Sequence, residues 1–149
     1  MQAGRRLLLK AGAALALLAA LPKALLAAVW PKKAFLSTEG GEALAALLGT
    51  DKTIPTDEIT LNLPEIADNG ALVPVTVGTS LENVESISIV VEKNPRPLAA
   101  NFEITPGVFP NLSSRIKMAE TSRVFAVVKT DTGIYSTSRQ VKVTLGGCA

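Results

Sequence analysis

The chain has 149 residues, with 15 Lys+Arg against 13 Asp+Glu, no histidine and one cysteine. The missing histidine excludes Ser-His-Asp and Cys-His triads and removes the commonest metal ligand. A single cysteine excludes a CxxC redox pair, a CxxCH haem attachment and a cysteine zinc cluster. Gly40-Gly41 is too short for a phosphate-cradling loop, and the few aromatics and absent basic stripe give no nucleic-acid footprint.

The first segment reads as an export signal. Gly4-Arg5-Arg6-Leu7-Leu8-Leu9-Lys10 forms a basic n-region, and Ala11 to Leu21 forms a short apolar run. No acidic residue precedes Glu39. Pro22 and Lys23 interrupt the run before the roughly 20 apolar residues that a membrane span needs. Arg5 and Arg6 resemble a twin-arginine leader, an address read by an export receptor. Residues 1–27 are therefore expected to be a cleaved leader, and the mature protein to be periplasmic. The leader holds four of the 15 cations (Arg5, Arg6, Lys10, Lys23), leaving 11 against 13 acidic residues, or −2 for the remainder. That remainder is the size of one domain with its own core.

A helix is expected within Lys32–Leu48, carried by the Leu44, Leu47, Leu48 stripe. Gly40-Gly41 weakens its middle, which allows a start at Glu42, and Gly49 ends it. After Thr56 the period changes to two. Ile59, Leu61 and Leu63 alternate with polar residues, as do Val73, Val75, Val77 and Ile87, Ile89, Val91. Phe102 and Ile104 make a shorter pair, and so do Ile116 and Met118. Val124–Val128 is almost wholly apolar and fits a central strand. Tyr135, Thr137, Arg139, Val141, Val143 and Leu145 share one face of a last strand.

Asp68-Asn69-Gly70, Asn94-Pro95-Arg96-Pro97, Thr105-Pro106-Gly107 and Asp131-Thr132-Gly133 supply turns between these runs. The rigid Asn94–Pro97 segment reads as a structural turn, with a contact surface as the alternative. About seven short strands at this spacing predict a mainly β chain: an immunoglobulin-like β-sandwich over residues 28–145, with an N-terminal helix. Glu82, Glu85, Glu92 and the Asp57-Glu58 pair read as solvated polar positions.

Residues 146–149 follow the last strand as a C-terminal arm: Gly146, Gly147, Cys148, Ala149. The two glycines leave it thin and torsionally free, and extended it reaches roughly 12–14 Å beyond the sheet. Cys148 lies at the wrong end for a lipobox, and only Ala149 follows it where prenylation needs three residues. An unpaired cysteine in an exported protein implies a reactive thiol or intermolecular pairing. The thiolate is the reactive form, and the Ala149 carboxylate disfavours it. Activation is therefore left to a partner's site, which suits a carrier. A structural or adhesive sandwich that dimerises through Cys148 is the alternative, and an incidental cysteine on a tail a third reading.

The chain resembles the SoxY family, the sulfur-carrier subunits of the Sox thiosulfate-oxidation system. The resemblance rests on Val73-Pro74-Val75-Thr76-Val77, Val91-Glu92-Lys93-Asn94-Pro95-Arg96-Pro97-Leu98-Ala99, Arg115-Ile116-Lys117-Met118-Ala119-Glu120-Thr121-Ser122 and Val141 to Cys148. The family's tail is usually Gly-Gly-Cys-Gly-Gly, and here Ala149 stands in place of the final pair. The resemblance implies that Cys148 is the covalent attachment point and that the chain is not itself an enzyme and holds no cofactor. It implies a heterodimer with a SoxZ-like subunit. It further implies a c-type cytochrome that couples thiosulfate to the cysteine, a sulfate-releasing hydrolase and a sulfane-oxidising enzyme.

Overall fold

The computed structural model describes residues 30–145. Arg5, Arg6 and the rest of the expected leader lie outside the described residues, as do Gly146, Gly147, Cys148 and Ala149. The described chain is mainly β, with two short helices and nine strands. The helices are α1 (Lys32–Leu36) and α2 (Gly40–Leu48). The strands are β1 (Ile54–Pro55), β2 (Ile59–Asn62), β3 (Ile66–Ala67), β4 (Val73–Thr79) and β5 (Val84–Val91), followed by β6 (Leu98–Glu103), β7 (Asn111–Ile116), β8 (Ser122–Thr130) and β9 (Ile134–Val143).

Two sheets pack face to face. The larger has the order β1-β9-β8-β5-β6, with β3 also on β9; the smaller has the order β2-β4-β7. Ile59, Leu61, Val73, Val75 and Val77 of the small sheet meet Ile87, Ile89, Val91, Val124, Ala126, Val128 and Val141 of the large one. These are the residues that the period of two assigns to one face, so the sandwich follows from the alternation.

The helices form a third layer on the outer face of the large sheet. Ala34, Ala43 and Leu44 pack there with Val90, Leu98 and Val127. This layer explains why β5 is buried without interruption from Ser86 to Val91. Its inward face is the sandwich core, and its outward face lies under the helices or beside β6. The buried Ser88 hydroxyl is satisfied there by the Asn101 side-chain carbonyl at 2.9 Å. Covered faces likewise explain the apolar run of β8.

The single expected helix is two. Ser37 is extended, at φ −62° and ψ 143°, and its hydroxyl donates back to the Lys33 carbonyl at 2.9 Å. That local bond competes with helix continuation. The second helix begins at Gly40 rather than Glu42. A Cβ at Gly40 would stand 3.4 Å from Val90 Cγ1, in van der Waals contact, so the start of the helix rests on the sheet. Gly49 ends it as expected, at φ +85°, with its N–H on the Ala45 carbonyl at 3.0 Å.

Strand boundaries differ at the edges. β7 runs from Asn111 to Ile116, so Met118 lies beyond it. β6 starts at Leu98, ahead of the Phe102–Ile104 pair. Both are edge strands: β6 is largely half-buried, which dilutes its alternation, while β7 alternates in burial but places Ser114 between Leu112 and Ile116 on its inward face. Between Ala100 and Leu98 the register on β5 skips Ala99, a bulge. β4 accommodates Pro74 because β2 stops at the Asn62–Thr76 pair. One edge of β4 is therefore open at Pro74, where a missing N–H costs no ladder bond.

β1 and β3 had no sequence signal, since two residues cannot show a period. They pair in parallel with the two ends of β9, through Tyr135-Ser136 and Lys142-Val143. The Thr56 N–H on the Ser136 carbonyl and the Lys142 N–H on the Glu65 carbonyl close the two contacts, at 3.0 and 2.9 Å.

Candidate functional site

The described chain stops three residues short of Cys148, so its contribution to the site is the root from which that cysteine is reached. β9 ends at Val143, two residues earlier than the alternation suggests. β8 pairs with β9 only as far as Ser122–Val141. Past that point a side chain replaces a strand: Thr121 Oγ1 accepts the Val143 N–H at 2.9 Å. On the opposite edge the Thr144 N–H donates to the Ala67 carbonyl at 3.1 Å, and the Thr144 hydroxyl to the Asp68 carbonyl at 3.1 Å.

The last described residue is also held. The Gly70 N–H donates to the Leu145 carbonyl at 2.8 Å, and the Gly70 carbonyl accepts the Met118 N–H at 2.7 Å. Leu145, Gly70 and Met118 thus form a chain of main-chain bonds joining three distant parts of the sequence. Met118 is fully buried in the sandwich core. The Asp68–Gly70 turn is shaped by Asn69, whose Oδ1 accepts the Ala71 N–H at 2.8 Å.

Asn94 steadies the other side of this junction. Its Nδ2 donates to the Lys117 carbonyl at 2.8 Å, and its Oδ1 accepts the Ala119 N–H at 2.9 Å. Both halves of a buried amide are used, a polar contact with a fixed geometry. Beside it the Lys93 N–H donates to Ser122 Oγ at 3.0 Å. The Asn94–Pro97 segment is therefore structural, as its turn chemistry suggests. What sequence reasoning missed is that it braces the segment on which the root rests. The signal was the Asn in a Pro-rich turn, but its partners lie more than 20 residues away.

The carboxylates do not converge on a reactive constellation. Glu85 pairs with Lys129 at 2.6 Å and Glu120 with Lys93 at 3.4 Å, all with side chains 40% exposed or more, where such pairs contribute little. A groove of about 350 Å³ lies between the start of α2 and the outer face of the large sheet, with Glu39, Asp51 and Glu92 among its lining residues. No group of three or more His, Cys, Asp or Glu side chains able to hold a metal occurs among the described residues. No described helix is long and apolar enough to cross a membrane.

The fold and the braced root together define an immunoglobulin-like β-sandwich protein in which Cys148 follows, at three residues' distance, a fixed point on one pole. Comparison with known proteins narrows this class. The family profile described as "Sulfur oxidation protein SoxY" matches residues 44–148, reaching the cysteine itself. The solved structure of the sulfur carrier protein SoxY from Chlorobium limicola f thiosulfatophilum is similar at 40% identity and a TM-score of 0.62. The match covers 70% of this chain and 94% of that one.

The chain belongs to the SoxY family. The superoxide reductase (neelaredoxin) of Ignicoccus hospitalis is similar at 16% identity and a TM-score of 0.53, over 59% of this chain and 81% of that one. That likeness shows the fold alone. No curated protein sequence matches the chain significantly.

Proposed function

We propose that the chain is a covalent carrier of sulfur in thiosulfate oxidation, with Cys148 as the attachment point. The observation that carries this reading is the family match, which runs unbroken into Cys148. The solved relative at 40% identity bears the description of a sulfur carrier. In the cycle, a bond forms between Sγ of Cys148 and the outer sulfur of thiosulfate. Two electrons pass to a haem partner and the thiol proton is lost. Water then attacks the sulfonate sulfur, releasing sulfate and leaving a persulfide on the cysteine. Oxidation of that sulfane sulfur by a further partner, followed by hydrolysis, restores the thiol.

A chain without histidine leaves base catalysis and electron transfer to those partners, and its own role is tethering. A tether replaces diffusive encounter with local presentation at each site. Gly146 and Gly147 give the segment small cross-section beside the cysteine. Intact-mass measurement on protein from thiosulfate-grown cells tests the reading. Thiosulfonate, sulfonate or sulfane adducts on Cys148 are expected. A population of only free thiol and disulfide homodimer overturns it, in favour of a structural sandwich crosslinked at that residue.

The carrier acts in the periplasm as a heterodimer with a SoxZ-like subunit, and residues 1–27 export the pair together. The Arg5-Arg6 pair motivates this, because a twin-arginine address suits cargo that is folded before transport. Replacing Arg5 and Arg6 with lysine is expected to keep both subunits out of the periplasm, measured by fractionation and immunoblot. Unchanged export of the partner removes the co-export idea.

A further inference from the structure

Three large apolar side chains stand exposed around the root. Ile66 is 57% exposed, Leu72 64% and Leu145 70%. Their backbone neighbours are the same groups that hold the root. Ala67, next to Ile66, accepts the Thr144 N–H, and Gly70, two residues before Leu72, donates to Leu145.

They flank the root from both sides. Ile66 lies opposite Lys142, whose neighbours Val141 and Val143 turn toward the core, so Ile66 is on the helix-layer face. Leu72 precedes the fully buried Val73 and therefore lies on the outer face of the small sheet. The surrounding Glu65, Asp68, Asn69 and Lys142 are exposed. An apolar set within a polar rim is the anatomy of a contact surface.

The chain length beyond the root says what this surface meets. Cys148 follows Leu145 by three residues, so its Cα reaches at most about 10–11 Å from that of Leu145. A partner that shields its reacting centre from water at that depth must bring the mouth of its channel against the root itself. From this we infer that Ile66, Leu72 and Leu145 form a collar that seats on the channel mouth of the enzyme loading Cys148. The inference rests on the carrier reading and names the surface by which that carrier docks.

The test uses the intact heterodimer, thiosulfate and the thiosulfate-coupling haem enzyme of the same system. Turnover is followed as carrier concentration is varied. The triple variant Ile66→Thr, Leu72→Ser, Leu145→Ser changes only exposed side chains, so folding is retained. Half-saturation is expected to rise about tenfold or more, since loss of a few desolvated apolar anchors readily exceeds the 1.4 kcal/mol of one decade. The maximal rate and the rate of Cys148 alkylation by iodoacetamide are expected to stay near wild type.

Unchanged half-saturation overturns the collar while leaving the carrier reading intact. Turnover that survives Cys148→Ser overturns the carrier reading instead. Loss of the SoxZ-like subunit from the triple variant on size exclusion assigns the surface to the heterodimer and also overturns the proposal. So does an equal rise in half-saturation with Phe109→Ser. Phe109 is 77% exposed in the β6–β7 loop, at the other end of β7 from Ile116 and the root.

Discussion

Cys148→Ser is expected to abolish thiosulfate oxidation completely while leaving a folded protein. A serine hydroxyl is far less acidic than a thiol and cannot form the sulfur–sulfur bond that the cycle requires. The loss therefore does not scale with a weakened interaction; it removes the bond-forming atom. Stability should be untouched for a structural reason. Among the described residues, the hydrogen bonds that hold the root run from Thr121 and Ala67 to the Leu145 carbonyl and use main-chain and Thr side-chain groups, none of which the substitution alters. Matching thermal melts and partner retention, alongside absent turnover in the reconstituted system, is the expected result. Residual turnover above the uncatalysed background defeats the carrier assignment.

Ile89→Ala is expected to give the opposite profile, a large loss of stability with Cys148 chemistry preserved in the fraction that remains folded. Ile89 is fully buried in the sandwich core. Its cross-strand neighbours on both sides, Ala100 of β6 and Ala126 of β8, are small. Ile89 thus fills space that neither neighbour can close when its side chain is shortened. Burial-to-alanine changes of this kind cost about 2–5 kcal/mol, and poor collapse places this one near 4. For a domain of this size the midpoint should fall by roughly 10–20 °C.

Ile89→Val, which keeps most of the volume, should cost only about 0.5–1.5 kcal/mol. Denaturant melts with an unchanged slope would show that the effect is on stability and not on the unfolded ensemble. A midpoint for the alanine variant within a few degrees of wild type contradicts this account of the core.

The two variants separate what was legible in the sequence from what was not. β2, β4, β5 and β9 were visible because each presents an apolar face to the sandwich at a period of two, and β8 because its Val124–Val128 run is apolar on both faces. The helix layer was half visible: the Leu44, Leu47, Leu48 stripe gave a helix, but nothing local said that it would lie over Val90 and Val127. That packing makes Ser88 a buried residue, where alternation alone would leave it at the surface.

The cysteine was legible because it is the only one in the chain. The root was not, because it is built from main-chain groups at Gly70, Met118 and Leu145. Main-chain hydrogen bonds between residues tens of positions apart leave little trace in residue identity. Gly70 looked like ordinary turn chemistry, and the bond it makes to Leu145 exists only once both sheets have formed.

The two short parallel strands on β9 have a consequence for self-association. The outer edge of a sheet is a template on which a second copy can add a strand, the first step toward aggregates. Here β1 occupies that edge at Tyr135-Ser136 and β3 occupies it at Lys142-Val143. Only Thr137 to Val141 lies between them, too brief a stretch for stable strand addition, and Ser138, Arg139 and Gln140 within it are exposed and polar. An invading strand would have to displace one of the two caps, and displacing β3 would also disturb the Ala67 carbonyl that holds Thr144. The segments that brace the cysteine's root therefore also close the β9 edge of the large sheet to strand addition.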